Sequence, residues 1–118
     1  MTPKPHFSPA LRAGDFIFVS GQLPFDANMQ IVPADIAQQT TVVIEHLARI
    51  LANEGADLAN VVKTTVWLSD PADFAKFNET YAQHFVDGPP ARATVGSVLM
   101  VPGALVEIEA TACCPDLD

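Results

Sequence analysis

Two groups of residues in this sequence could do chemistry together. One is Arg92, in "GPPARATV" (88–95); the other is Glu107 and Glu109, in "LVEIEAT" (105–111). A guanidinium offers N–H donors in a fixed fork that matches a carboxylate, and a half-buried one needs an anionic partner. Either the chain supplies that partner or a ligand does. A carboxylate in a cleft can act as a base or orient a water. Strand periodicity puts Glu107 and Glu109 on one face, alternating with Val106, Ile108 and Ala110, and the plainest reading of that face is a solvated one. Arg92 shares a face with Thr94 and Gly96. If Leu99 pairs with Ala104, Thr94 stands opposite Glu109 and Gly96 opposite Glu107, with Arg92 on the same side. A slip of one residue separates them. Even in that register Glu107 lies roughly 13 Å along from Arg92. Meeting at one small ligand then needs a bulge, long inward side chains, or a second subunit. An internal Arg92–Glu109 ion pair is the competing reading.

The remaining candidates are less specific. Asn78 borders an aromatic stripe, where it could orient a ligand or bond a loop carbonyl. Ser20 and Gly21 close an apolar run; Gly21 admits close approach of a ligand to the backbone, and a tight turn explains it equally well. His6, His46 and His84 are scattered without metal-ligand spacing. Cys113 and Cys114 are adjacent near the tail and read as inert. No Ser-His-Asp pattern, phosphate loop or dinucleotide fingerprint is present. Neither a metal nor a cofactor is expected.

These residues must be held by a small set of elements. "DFIFVSG" (15–21) reads as a strand buried on both faces, and "LPFDANMQIVP" (23–33) as a hairpin turn with a brief second strand. A helix follows, with Asp35 as N-cap, Gln38 three residues on as in a capping box, and Gly55 as its stop. Thr40, Val43, Leu47, Ile50 and Leu51 recur at helical spacing. "VVKTTVWL" (61–68) is β-branched and reads as a strand. Asp70 and Pro71 then open a second helix, whose stripe is Phe74, Phe77, Tyr81 and Phe85. "ATVGSVLM" (93–100) and "ALVEIEATA" (104–112) read as two final strands joined near Pro102–Gly103. The order is β-β-α-β-α-β-β, an α+β arrangement. Two helices cover one face of such a sheet, yet "FIFV" and "VWL" are apolar on both. A partner subunit on the open face resolves that mismatch.

Composition limits the partners. The chain has 118 residues, 49% of them apolar, which suits one domain over 1–118. Six basic residues stand against 14 acidic ones, a net charge of −8 without any basic run. Nucleic acid and anionic membrane surfaces are therefore poor partners. No apolar run is long enough to span a membrane, and "MTPKPHFSP" lacks the apolar segment of a signal peptide. Two cysteines make no disulfide framework, so a cytoplasmic, reducing location is expected.

"FIFVSGQLPFD", "NVVKTTVWLSDPADFAKFNETYAQHF", "GPPARATV" and "ALVEIEATA" together resemble the successive motifs of the RidA/YjgF family, also called endoribonuclease L-PSP, from about Phe7 to Ala112. The resemblance implies a chorismate-mutase-like fold, a mixed sheet with two helices on one face. It implies a homotrimer packed sheet-inward, with active clefts between subunits. The activity it implies is cofactor-independent hydrolysis of reactive 2-imino or enamine acids to 2-oxo acids and ammonia. It places the carboxylate-binding arginine on Arg92, the water-positioning glutamate on Glu107, the motif asparagine on Asn78 and the serine-glycine pair on Ser20 and Gly21. Phe7 stands where many members carry tyrosine, which removes a hydroxyl contact. Thr94 stands where some carry cysteine, which keeps a backbone N–H contact and removes a thiol.

Three functions compete: an imine deaminase, in general form or specific to an aminoacrylate- or aminomuconate-type pathway intermediate; a non-catalytic 2-oxo acid or carboxylate binder; and a ribonuclease or translation inhibitor. The negative charge argues against the last.

Overall fold

The structure, a computed structural model, describes residues 5–115. Its elements are strand β1 (Ala10–Ala13), β2 (Phe16–Gln22), helix α1 (Ile36–Asn53), β3 (Val61–Leu68), α2 (Phe74–His84), β4 (Ala91–Gly96) and β5 (Val106–Cys113). The order is the expected β-β-α-β-α-β-β, but its first two members differ from the sequence reading. Ala10–Ala13 forms an edge strand paired with β2. The "LPFDANMQIVP" segment contributes only an isolated bridge between Phe25 and Ile31. "ALRA" is four residues long with a single polar one, so periodicity alone gives it no signal.

Local chemistry places the helices. Asp35 accepts from the Gln38 backbone amide and starts α1, and Gly55 at φ 79° follows its end. Asp70 caps a 3-10 turn, Pro71–Asp73, that leads into α2. Both helices share one face of the sheet. α1 packs on β2, β5 and α2, and Tyr81 of α2 hydrogen-bonds Thr64 of β3 at 2.7 Å. Ile17, Val19, Val66, Val106 and Ile108 meet Val43, Leu47, Phe77 and Tyr81 in a continuous core. Gln39, fully buried, donates to Val32 and Gly103 carbonyls and accepts from the Leu105 amide. Those bonds tie the loop before β5 to α1. A sequence reading that fixes on Gln38 as a capping side chain passes over this neighbour.

The sheet order is β1-β2-β5-β3-β4. β4 runs parallel to β3, joined through α2 as a crossover unit, and β5 inserts antiparallel between β2 and β3. The expected hairpin pairing Leu99 with Ala104 therefore does not exist. Leu99 lies in the loop between β4 and β5, and that loop crosses the end of β3 through Ser97 N–H to Leu68 O and Ser69 N–H to Leu105 O.

The face away from the helices is open. Leu11 (64% exposed), Phe16 (44%) and Phe18 (46%) stand on it with the Phe16 and Phe18 rings 6.5 Å apart. "FIFV" thus buries Ile17 and Val19 against the helices and leaves its aromatic residues on the other side.

Candidate functional site

Arg92 sits on the edge strand β4, opposite Thr64 in the parallel register. Thr64 is fully buried toward the helices, so Arg92 and Thr94, two residues on, face the helix side as well. There the guanidinium carbon lies 4.8 Å from the Tyr81 ring centre, 5.5 Å from Phe77 and 5.7 Å from Phe74. Aromatic faces attract a cation through their quadrupole without using its in-plane N–H donors. Among the described residues no carboxylate pairs with Arg92. Burial raises the Tyr81 pKa above 10.0, against the opposing pull of the Thr64 hydrogen bond and the Arg92 charge, so the phenol stays neutral. Asn78 is exposed on α2, one turn after Phe74.

Glu107 stands on the opposite face. In the register of β5 with β3 it lies opposite Trp67, and Glu109 opposite Thr65, while Ile108 and Ala110 between them are buried against the helices. The reading that puts Arg92 and both carboxylates on one side is therefore corrected, and so is an Arg92–Glu109 ion pair within one chain. The reason is topological: β3 intervenes between β4 and β5, and the parallel crossover sets which side chains face the helices.

Around Glu107 the chain builds a cleft of about 730 Å³, whose walls include Phe7, Ser20 and Gly21. A smaller depression of about 240 Å³ lies on its other side, between Trp67, Glu109 and the loop Ser97–Met100. A bulge in β2 between Val19 and Gln22 aims Ser20 and Gly21 at this spot. Gly21 is neither a turn nor a positive-φ residue. A Cβ there would stand 2.5 Å from Glu107 Oε2, so its lack of a side chain is what lets the carboxylate rest against the backbone. The Ser20 hydroxyl donates to the Ser8 carbonyl at 2.6 Å, which fastens the Phe7 segment over the cleft. Partial burial raises the Glu107 pKa above its ordinary 4.5, and the neighbouring Glu109 charge raises it further.

The predicted residues thus fall into two corners. Phe7, Ser20, Gly21 and Glu107 share the cleft. Arg92, Thr94 and Asn78 belong to the far edge, at β4 and α2. Sequence reasoning read Phe74, Phe77 and Tyr81 as a core stripe and missed that they clad Arg92. The available signal was the crossover, which puts alternate residues of the strand after a helix, here Arg92 and Thr94, beneath that helix. Among the described residues no cluster of three His, Cys, Asp or Glu could hold a metal, and no helix is long and apolar enough to cross a membrane.

The sequence profile described as endoribonuclease L-PSP matches residues 1–114. The chain belongs to the RidA/YjgF family. A RutC family protein of Pyrococcus abyssi is 46% identical over 113 residues, covering 93% of this chain and 89% of that one. The 3-aminoacrylate deaminase RutC of Acinetobacter baylyi is 40% identical, covering 94% and 90%. The crystal structure of RidA from an Antarctic Psychrobacter superposes with a TM-score of 0.87 at 33% identity, covering 95% of this chain and 91% of its own. The RidA/YjgF fold, a mixed five-stranded sheet carrying two helices, is therefore the fold of this chain.

Proposed function

We infer that this protein is a deaminase that hydrolyses 2-imino and enamino acids to 2-oxo acids and ammonia. We further infer that its active cleft forms where the Arg92 edge of one copy meets the Glu107 cleft of the next. The observation that carries this reading is Arg92: a guanidinium held among three rings with no carboxylate of the described residues beside it. A fork kept free in a protein of net charge −8 is suited to the carboxylate of a guest. The apolar open face supports assembly, with three copies packing their sheets inward over Leu11, Phe16 and Phe18. The deaminase relative from Acinetobacter supports the reaction class.

In that cleft Arg92 clamps both oxygens of the substrate carboxylate and fixes the adjacent protonated imine carbon. Glu107, a stronger base because its pKa is raised, draws a proton from a water that adds to that carbon. The carbinolamine then collapses. Its nitrogen takes the proton back from Glu107, the C–N bond breaks and ammonia leaves, and the hydroxyl gives its proton to the freed Glu107 carboxylate as the carbonyl of the 2-oxo acid forms. An iminium is already electrophilic, so positioning and proton transfer suffice. The family's endoribonuclease label is not the reading favoured here, because an RNA surface needs a basic footprint.

The test is direct. The purified protein should speed 2-oxo acid release from 2-aminoacrylate or 2-aminocrotonate generated enzymatically in the same vessel. Arg92→Ala should lose that acceleration while its circular dichroism stays native. Full activity in Arg92→Ala would refute the assignment, and binding of 2-oxobutanoate without turnover would show a carboxylate-binding module instead.

A further inference from the structure

In a single copy, the cleft beside Glu107 is larger than a three-carbon imino acid requires. Its volume of about 730 Å³ falls within the roughly 300–1,000 Å³ of pockets that enclose drug-sized ligands. Beyond Gly21 its walls are mostly apolar, formed by Leu23, Phe25, Met29 and Ile50, and among the described residues one cation stands on this stretch, Arg49 of α1. Arg49 is set in place by a neighbour one turn earlier. The His46 Nε2 lies 2.8 Å from the Phe25 carbonyl, which can only accept, so Nε2 carries the proton. That leaves Nδ1 as the lone-pair nitrogen, and it accepts from Arg49 Nη2 at 2.9 Å. Arg49 is exposed, and this is the one hydrogen bond of its guanidinium among the described residues. No described carboxylate forms an ion pair with Arg49. Asp26 lines an adjoining depression with Arg49, and its Oδ1 is occupied by the Asn28 and Gln30 amides.

An apolar channel with a carboxylate along it and, on its wall, a guanidinium that no described carboxylate pairs with selects for a particular shape of ligand. We propose that Arg49, oriented by His46, is a distal anion site, and that the cleft takes 2-imino acids carrying a second carboxylate at the end of an aliphatic chain. The proposal rests on the deaminase reading, in which Arg92 holds the first carboxylate. A dianion approaching a protein of net charge −8 is repelled at long range, so preference for one requires a local cation at each end. The imidazole supplies no competing negative charge, and its hydrogen bond fixes where the distal cation waits.

The test compares two stable product analogues of equal chain length, 2-oxohexanedioate and 2-oxohexanoate, which differ only in the terminal group. Calorimetry at low salt should show the dicarboxylate bound about 10-fold more tightly, the scale of one charge-assisted contact, with that ratio shrinking as salt is added. Arg49→Met should bring the ratio to about one, and Arg49→Lys should keep part of it because the charge remains without the fork. Arg92→Met should weaken both ligands alike. Equal affinity for the two ligands in the unaltered protein, or an undiminished preference in Arg49→Met, would overturn the distal site while leaving the deaminase reading intact. Failure of both ligands to bind the unaltered protein would overturn that reading together with this one.

Discussion

The Arg92 corner and the Glu107 corner solve the same problem in opposite ways. The Arg92 guanidinium lies among the faces of Phe74, Phe77 and Tyr81, which favour a cation and leave its donors free. Glu107 is given the reverse treatment. It is partly withdrawn from water and set beside Glu109, and both effects push its proton affinity up. One corner holds a permanent cation waiting for an anion; the other holds a base waiting for a proton. Among the described residues neither charge has an ion-pair partner, and the sheet places them on opposite faces. A carboxylate perturbed as Glu107 is marks a candidate working site. In the deaminase proposed above, a single copy would carry two complementary halves of a site.

The largest expected effect follows from that division. Arg92→Ala and Glu107→Ala proteins should each be nearly inactive in imine hydrolysis. Unfolding them together and refolding the mixture should restore activity, because an interface between the two variants can hold a native Arg92 from one and a native Glu107 from the other. Random assembly of equal amounts leaves about a quarter of interfaces intact in this way. The check is the turnover rate of the mixture against the separate variants. No recovery, with mixed oligomers verified by mass spectrometry, would mean that both residues act within one chain.

A smaller loss tests the Glu107 corner alone. Gly21→Ala puts a Cβ 2.5 Å from Glu107 Oε2, so the carboxylate must move by about an ångström. A displacement of that size costs on the order of 100-fold in rate. The backbone at Gly21 needs no positive φ, so the thermal midpoint should change little. Steady-state rates and melting curves of the one variant measure both quantities.

The two corners also differ in how far the sequence revealed them. β3 is read from its β-branched run to the residue, "VVKTTVWL" matching Val61–Leu68, and α1 from its Asp35 cap and Gly55 stop. Such signals are local, carried by a few adjacent side chains. The pairing of β4 is not local. Whether it joins β5 in a hairpin or β3 in a crossover depends on where a helix packs, and that choice decided which face received Arg92. The family resemblance named Arg92, Glu107, Asn78 and the Ser20–Gly21 pair, but the aromatic cladding, the Gly21–Glu107 contact and the Gln39 clamp each join residues distant in the chain. No periodicity announces such contacts.

Within the Arg92 corner, hydroxyl and ring can be separated. Tyr81→Phe removes a buried hydrogen bond and leaves Thr64 without its partner, at a cost of about 1–3 kcal/mol in stability. The ring beneath Arg92 survives, so turnover should persist. Tyr81→Leu removes the ring as well, and should raise KM through a less confined guanidinium. Equal KM values in the two variants would show that Tyr81 serves stability alone.

The smallest effect lies in the pH dependence of Glu107. Its pKa is raised in the folded chain, by burial first and by Glu109 second. Between the ordinary value of 4.5 and the raised one, the folded state therefore binds more protons than the unfolded state. Stability from this group is fully present below 4.5 and is lost as pH rises through the folded value. Glu107→Gln abolishes that loss. Its melting temperature should match that of the unaltered protein in acid and exceed it slightly at neutral pH, at fixed protein concentration. Glu109→Gln should give part of the same gain, since it removes only the second cause. The decisive comparison repeats the Glu107→Gln melt in an Arg92→Ala background. If a neighbouring copy brings Arg92 close to Glu107, its charge already relieves the ionised carboxylate, and the gain should be larger once Arg92 is gone. If the corners stay apart in the assembly, the gain is the same in both backgrounds, and the shared cleft fails on thermodynamic grounds before any substrate is added.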